Sequence, residues 1–306
     1  MEELLPVPYI HVVFTQPHKL NPLIFRNPRD LLGLLFRSVS QTLLTFAKDE
    51  KFLGAKPGVV MVLHTWGRKL NLHYHVHCIV TGGGLSNSGE DWVNCPKDDF
   101  LFPVRALSKV FRAIFVSGLD RLRDLDLPKP ELYTQEGWRS YKTQLFSKSW
   151  VVYAKPPFGG PQQVLKYLGQ YTNRAAVSNQ RIISYKKGRV LLSYKDYKDQ
   201  SKIKTLDLSA QDFMDRFLHH ALPSGFHRIR YSGFLAPRIK KQSLEKAREI
   251  LGRPTVQIPD KPEPDQITEE GETTRPCPYC KGRLILLRTT TLLDQKRARC
   301  MLWDSS

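Results

Sequence analysis

The 306-residue chain is 41% hydrophobic and 10% aromatic, enough to bury an ordinary core and too much for a disordered tail. Lysine and arginine number 47 against 29 acidic residues, a net charge of +18 whose simplest partner is a polyanion. Apolar runs such as residues 59–63 fall far short of the roughly 20 residues of a spanning helix, and Met1-Glu2-Glu3-Leu4 does not begin a secretory leader, so a cytoplasmic location without a membrane partner is expected.

In chain order, Tyr9–Thr15 is rich in β-branched and aromatic residues and ends before Pro17, which predicts a first strand. Leu31, Leu34, Leu35, Val39, Leu43 and Phe46 recur at helical spacing after Pro28 and predict a helix over Pro28–Lys48. Residues 58–66 and 73–81 read as two strands of an antiparallel hairpin across a short polar connection. A long amphipathic helix is expected over 101–125, a further one near 136–146, and a short strand over 150–154. Pro156 to Pro161 interrupts the chain and places a proline where a helix over 162–173 can begin. Residues 181–185 and 190–194, joined through Lys186-Lys187-Gly188, predict another hairpin, and Ser209 caps a helix running to about 222.

Short hairpins between interleaved helices point to an α+β fold, a central antiparallel sheet covered by helices. Residues 253–276 are rich in Pro, Glu, Asp and Thr and read as a linker between a domain over 8–252 and a small appendage over 277–306.

The run Leu72-His73-Tyr74-His75-Val76-His77-Cys78 carries the first chemistry. A strand's period of two puts His73, His75 and His77 on one face and Tyr74, Val76 and Cys78 on the other. Imidazoles two residues apart lie roughly 6.5–7 Å apart at the backbone, so both rings can converge on one cation about 2 Å from each. His64, on the strand before the turn, is the preferred third ligand and His73 the alternative. Such a set suits manganese, zinc or, with waters and phosphates completing the shell, magnesium.

Lys166-Tyr167-Leu168-Gly169-Gln170-Tyr171 places two phenols one helical turn apart. Most such pairs are buried aromatic stripes. Here Lys166, Asn173, Arg174, Asn179 and Arg181 supply donors suited to phosphate. Gly169 costs a helix about 1 kcal/mol relative to Ala, which is intelligible where a backbone must approach closely. A tyrosine attacking a phosphodiester stores the bond energy as a phosphotyrosine for later rejoining.

Five cysteines at uneven spacing, an odd count, argue against a secreted disulfide framework. Cys78 and Cys95 read as packing or surface residues. Cys277-Pro278-Tyr279-Cys280 has a zinc-knuckle spacing, with Cys300 a candidate third ligand for Zn²⁺.

His-hydrophobic-His on a strand followed by Tyr-x-x-x-Tyr on a helix resembles the HUH endonucleases. The strings His64-Thr65-Trp66-Gly67, His73 to His77, Thr81-Gly82-Gly83-Gly84-Leu85 and Tyr167-Leu168-Gly169-Gln170-Tyr171-Thr172-Asn173-Arg174 resemble the two-tyrosine transposases of rolling-circle insertion sequences. The resemblance implies a sheet of the RNA-recognition type with His75 and His77 on its central strand. It implies Mg²⁺ or Mn²⁺ as cofactor and single-stranded DNA, transposon ends and target, as partner. Tyr167 and Tyr171 would nick donor and target strands in turn through 5′-phosphotyrosine intermediates.

Members of that family carry a cysteine-rich zinc-binding segment ahead of the catalytic domain; this chain begins almost at the first catalytic strand and reads as a shortened copy. No Gly-x-x-x-x-Gly-Lys-Ser/Thr phosphate loop occurs, so strand unwinding would fall to a host helicase. The same residues also fit two alternatives: a hydrolase in which His64, His75 and His77 activate water, and a catalytically inactive DNA-binding derivative of a transposase.

Overall fold

The computed structural model describes residues 4–95, 102–122, 124–155, 176–197 and 199–252, and the backbone of residues 275–276 and 283–284. In chain order these form β1 (Tyr9–Thr15), α1 (Asn21–Arg26), α2 (Pro28–Lys48), β2 (Lys56–Trp66), β3 (Leu72–Leu85), β4 (Trp92–Asn94), α3 (Val104–Leu119), α4 (Gln135–Phe146) and β5 (Val151–Lys155). There follow β6 (Ile182–Lys186), β7 (Arg189–Asp196), β8 (Lys202–Ser209), α5 (Ala210–Leu218), β9 (Ile229–Gly233) and α6 (Lys240–Ile250). The fold is α+β, as the hairpin pattern predicts.

The main sheet is antiparallel in the order β5-β1-β3-β2-β9, with β4 paired to the end of β3. Alternation decides what each face meets. Ile10, Val12 and Phe14 of β1, Val59, Met61 and Leu63 of β2, and Tyr74, Val76, Cys78 and Val80 of β3 point into one core. Leu31, Leu35, Val39 and Leu43 of α2 and Leu107, Phe111 and Phe115 of α3 close it. Each such buried side chain contributes about 1.5–3 kcal/mol of transfer free energy.

The opposite face divides. At one end Tyr9, Ile79 and Leu85 pack beneath Leu244 and Ala247 of α6. At the other end the same face carries His11 of β1, His64 of β2 and His73, His75 and His77 of β3, with Val13 and Val62 between them.

Helix ends follow local chemistry. Ser209 accepts from the Asp212 N–H at the start of α5, and Thr134 accepts from the Gly137 N–H at the start of α4. The helix expected over 101–125 is shorter, Val104–Leu119. Pro103 has no N–H to give a preceding turn and sits at the cap, and Asp124 lies at φ 54, outside helical geometry. The helix expected over 162–173 lies outside the described residues. Gly233, at φ 66, closes β9 where an added Cβ would stand 1.7 Å from the Pro57 carbonyl oxygen, so no other residue fits there.

β6, β7 and β8 form a separate antiparallel sheet. The turn between β2 and β3 docks on it. Leu70, at φ 56, is 1% exposed and inserts among Val190, Leu192 and Leu208. A left-handed leucine costs about 1–2 kcal/mol, which burial of its side chain offsets. β8, β9, α1, α6 and β4 are not anticipated from the sequence pattern, although Lys202-Ile203-Lys204-Thr205-Leu206-Asp207-Leu208 alternates as a one-sided strand must.

Residues 1–254 and 255–306 form two compact units. In the second, Arg275–Pro276 pairs antiparallel with Arg283–Leu284. Among the described residues no helix is long and apolar enough to cross a membrane.

Candidate metal centre

The site grows from the β2–β3 register. His64 and His75 are direct Cα partners across the ladder, and the next pair on the same face is Val62 with His77. Opposed residues of an antiparallel pair project from the same face, so His64, His75 and His77 converge. A potential ligand nitrogen from each lies within 4.8 Å of the others. The ring centroids are 5.3 Å apart for His64 and His75, 4.5 Å for His64 and His77, and 4.9 Å for His75 and His77.

The register shifts between His64 and Trp66, and the Trp66 ring stacks on His64 at 4.6 Å with planes 17° apart. Trp66 is therefore one wall of the site, a role its sequence position alone does not announce. His64 is 3% exposed and His77 9%.

Hydrogen bonds settle how these rings point. The His75 Nδ1 lies 2.8 Å from the His73 carbonyl oxygen. A carbonyl can only accept, so Nδ1 carries the hydrogen and the Nε2 lone pair is available. The His77 Nδ1 meets His11 Nε2 at 2.9 Å, so an ion held by His77 would be met by its Nε2. His11, on β1, has no place among the sequence candidates. The only signal would have been its inward parity on a strand adjacent to β3.

Electrostatics favour neutral imidazoles. Burial, reinforced by the nearby His73, depresses the His75 pKa from 6.5 to about 3. Burial, with Lys155 and His64 adding positive charge, takes His11 to about 3. Neutral, lone-pair-bearing imidazole is the form that binds a cation. The donor set is thus suited to a divalent metal ion.

His73, the alternative third ligand, borders the trio without sharing its convergent nitrogens: its ring lies 4.8 Å from that of His75 and 5.1 Å from that of His18, and burial together with His18 lowers its pKa. Arg181, a candidate phosphate donor, directs its guanidinium to the carbonyls of Ser193, Ala176 and Arg68, tying the second sheet to the β2–β3 turn. Tyr167, Tyr171, Lys166, Asn173 and Arg174, and the cysteines Cys277, Cys280 and Cys300, lie outside the described residues. Beside the histidines the same sheet face continues onto β5, where Lys155 pairs with His11 and the half-exposed Tyr153 with Val13. Neither stood out in the sequence.

Residues 58–243 match the family Y2_Tnp, described as "Putative transposase". The chain is 40% identical over 317 residues to "Putative transposase y4qJ" of Sinorhizobium fredii, an alignment covering 99% of this chain and 78% of that one. It is 33% identical over 249 residues to the "Transposase for insertion sequence element IS801" of Pseudomonas savastanoi pv. phaseolicola, covering 80% of this chain and 58% of that relative's length. Among solved structures, TrwC complexed with a 27-mer DNA overlaps 78% of this chain and 73% of its own, at 11% identity and a TM-score of 0.29. A likeness that loose decides nothing about this chain.

Proposed function

The chain belongs to the Y2_Tnp transposase family, and from that premise we propose that it nicks and rejoins single-stranded DNA through 5′-phosphotyrosine intermediates. The convergence of His64, His75 and His77 on one face of the sheet carries this reading. These three would hold a Mn²⁺ or Mg²⁺ ion, which supplies Lewis-acid polarisation of a phosphate oxygen when bound. A neutral His75 whose Nδ1–H is held by the His73 carbonyl, leaving its Nε2 lone pair for an ion, supports that assignment.

The chemistry falls to Tyr167 and Tyr171. The phenol gives up its proton, its oxygen forms a bond to phosphorus, and the bond from phosphorus to the 3′ oxygen breaks. The 3′ oxygen takes up a proton and leaves as a hydroxyl. The 5′ phosphate stays joined to the tyrosine. A free 3′ hydroxyl then attacks the phosphotyrosine and releases the phenol. One phosphoester is exchanged for another in each step, so no nucleotide triphosphate is consumed.

Lys166, Asn173 and Arg174 would grip phosphates, with Lys155 and Tyr153 extending the surface toward β5. A net charge of +18 favours strand capture. Strand opening would come from a host helicase, and Cys277, Cys280 and Cys300 would hold Zn²⁺ in the carboxyl-terminal unit. Neither the water-activating hydrolase nor the inactive derivative is favoured by the family to which the chain belongs.

The test is to incubate the chain with single-stranded oligonucleotides from its element's ends and Mn²⁺. A covalent protein–DNA adduct is expected. Cleavage with no adduct at any end or metal would replace this reading with water-driven hydrolysis.

A further inference from the structure

The Nε2 of His11 and the Nδ1 of His77 stand 2.9 Å apart, both rings well buried, on neighbouring strands of the main sheet. The ring planes differ by 2° and the centroids are 5.2 Å apart. With the nitrogens at hydrogen-bond distance, that separation fits rings lying edge to edge in one plane. The N–H bond and the lone pair of an imidazole both lie in its plane, so this is the arrangement a strong N–H···N bond requires.

A single hydrogen can occupy the gap between two nitrogens. An ion on His77 Nε2 needs that nitrogen's lone pair, which moves the ring's hydrogen to Nδ1. Nδ1–H must then donate to His11 Nε2, and the His11 hydrogen must sit on its own Nδ1. His75 obtains the same orientation from a backbone carbonyl, that of His73. His77 obtains it from a side chain that nothing in the local β3 sequence supplies.

We infer that His11 is a positioning residue of the metal centre: it accepts the Nδ1–H of His77, fixes that ring's tautomer and rotation, and so presents Nε2 to the ion, provided the cluster holds metal as proposed above. Partners of this kind both hold the ligand ring and raise its basicity.

The test uses the full chain and two substitutions at one position. His11→Phe keeps a ring of similar size without an acceptor, and His11→Gln places an amide oxygen near the former Nε2. Titration with Mn²⁺, followed by calorimetry, should show His11→Phe weakened about 10- to 100-fold, the usual cost of losing such a partner. His11→Gln should stay within about threefold of the unsubstituted chain, because a good acceptor is restored. Equal affinity in His11→Phe, or equal loss in both variants, would overturn the role of His11 alone. If the unsubstituted chain binds no ion, the metal reading itself falls, and the role of His11 with it.

A measurement without substitution guards against misfolding. In ¹⁵N-histidine-labelled chain loaded with diamagnetic Zn²⁺, long-range ¹H–¹⁵N correlation spectra report each ring's tautomer. Hydrogens on Nδ1 are expected for both His77 and His11. A hydrogen on His11 Nε2 would end the proposal.

Discussion

His64 and His75 are paired residues across the β2–β3 ladder, and that pairing puts a third imidazole beside the two that alternate along β3. His73 has the same parity on β3 and its ring lies 4.8 Å from that of His75, yet it lies beyond this pairing, also meets His18, and is not among the convergent nitrogens. His64→Ala should therefore lower Mn²⁺ affinity by at least about 100-fold, more than the loss of an outer partner costs. His73→Ala should change it by less than about threefold, since its backbone carbonyl, the group that holds His75, survives the substitution. Calorimetric titration of the two variants side by side checks the pair; equal losses would return the choice of third ligand to His73.

Tyr167→Phe and Tyr171→Phe should each retain one class of covalent adduct, with donor and target ends separated between them. The double substitution should form none while still binding single strands. Denaturing gels of labelled oligonucleotide after incubation with Mn²⁺ read this directly. An adduct in the double variant would mean that another nucleophile is used.

Acid should weaken the metal-free fold in a defined window. His75 and His11 have folded-state pKa values of about 3 against an ordinary 6.5, so between those limits the unfolded chain takes up protons that the folded one refuses. Stability is complete above pH 6.5 and declines as the pH falls toward 3, by on the order of 1 kcal/mol per pH unit for each ring. Urea unfolding at pH 7, 6 and 5 in the presence of chelator tests the slope. Replacing both rings by Gln should flatten it.

Arg181 donates to three backbone carbonyls around the second sheet. Arg181→Lys loses the planar fork and leaves carbonyls without donors, a cost of about 1–3 kcal/mol in urea unfolding. The salt dependence of single-strand binding should stay as it was, because the substitution retains the charge. Arg181→Ala, which removes the charge, should also leave that slope unchanged; a slope reduced by about one would instead place Arg181 on the phosphates.

Leu70→Ala should cost about 2–4 kcal/mol, since its side chain fills the core under β7 and β8. Leu70→Gly removes more volume and yet should cost no more than Ala, because φ 56 suits glycine and strains alanine. Urea midpoints of the two variants decide it.

Much of this was legible in the sequence because the relevant physics is local. The alternation of imidazole and apolar residues from His73 to Cys78 dictates two faces whatever the strand pairs with, and the helical spacing from Leu31 to Phe46 dictates which side of α2 is buried. The serine cap of α5 and the hairpin at Gly188 are likewise written in a few adjacent residues. What local pattern could not decide was pairing across distance. That His64 brings a nitrogen to those of His75 and His77 depends on the β2–β3 register. That His11 reaches His77 depends on β1 lying against β3, the two residues being 66 positions apart in the chain. Arg181, rich in donors and read from sequence as a phosphate ligand, bonds to carbonyls that only the docking of the second sheet brings near. Side-chain type sets what a residue is able to bind; the strand order decides which partner is within a hydrogen bond's length.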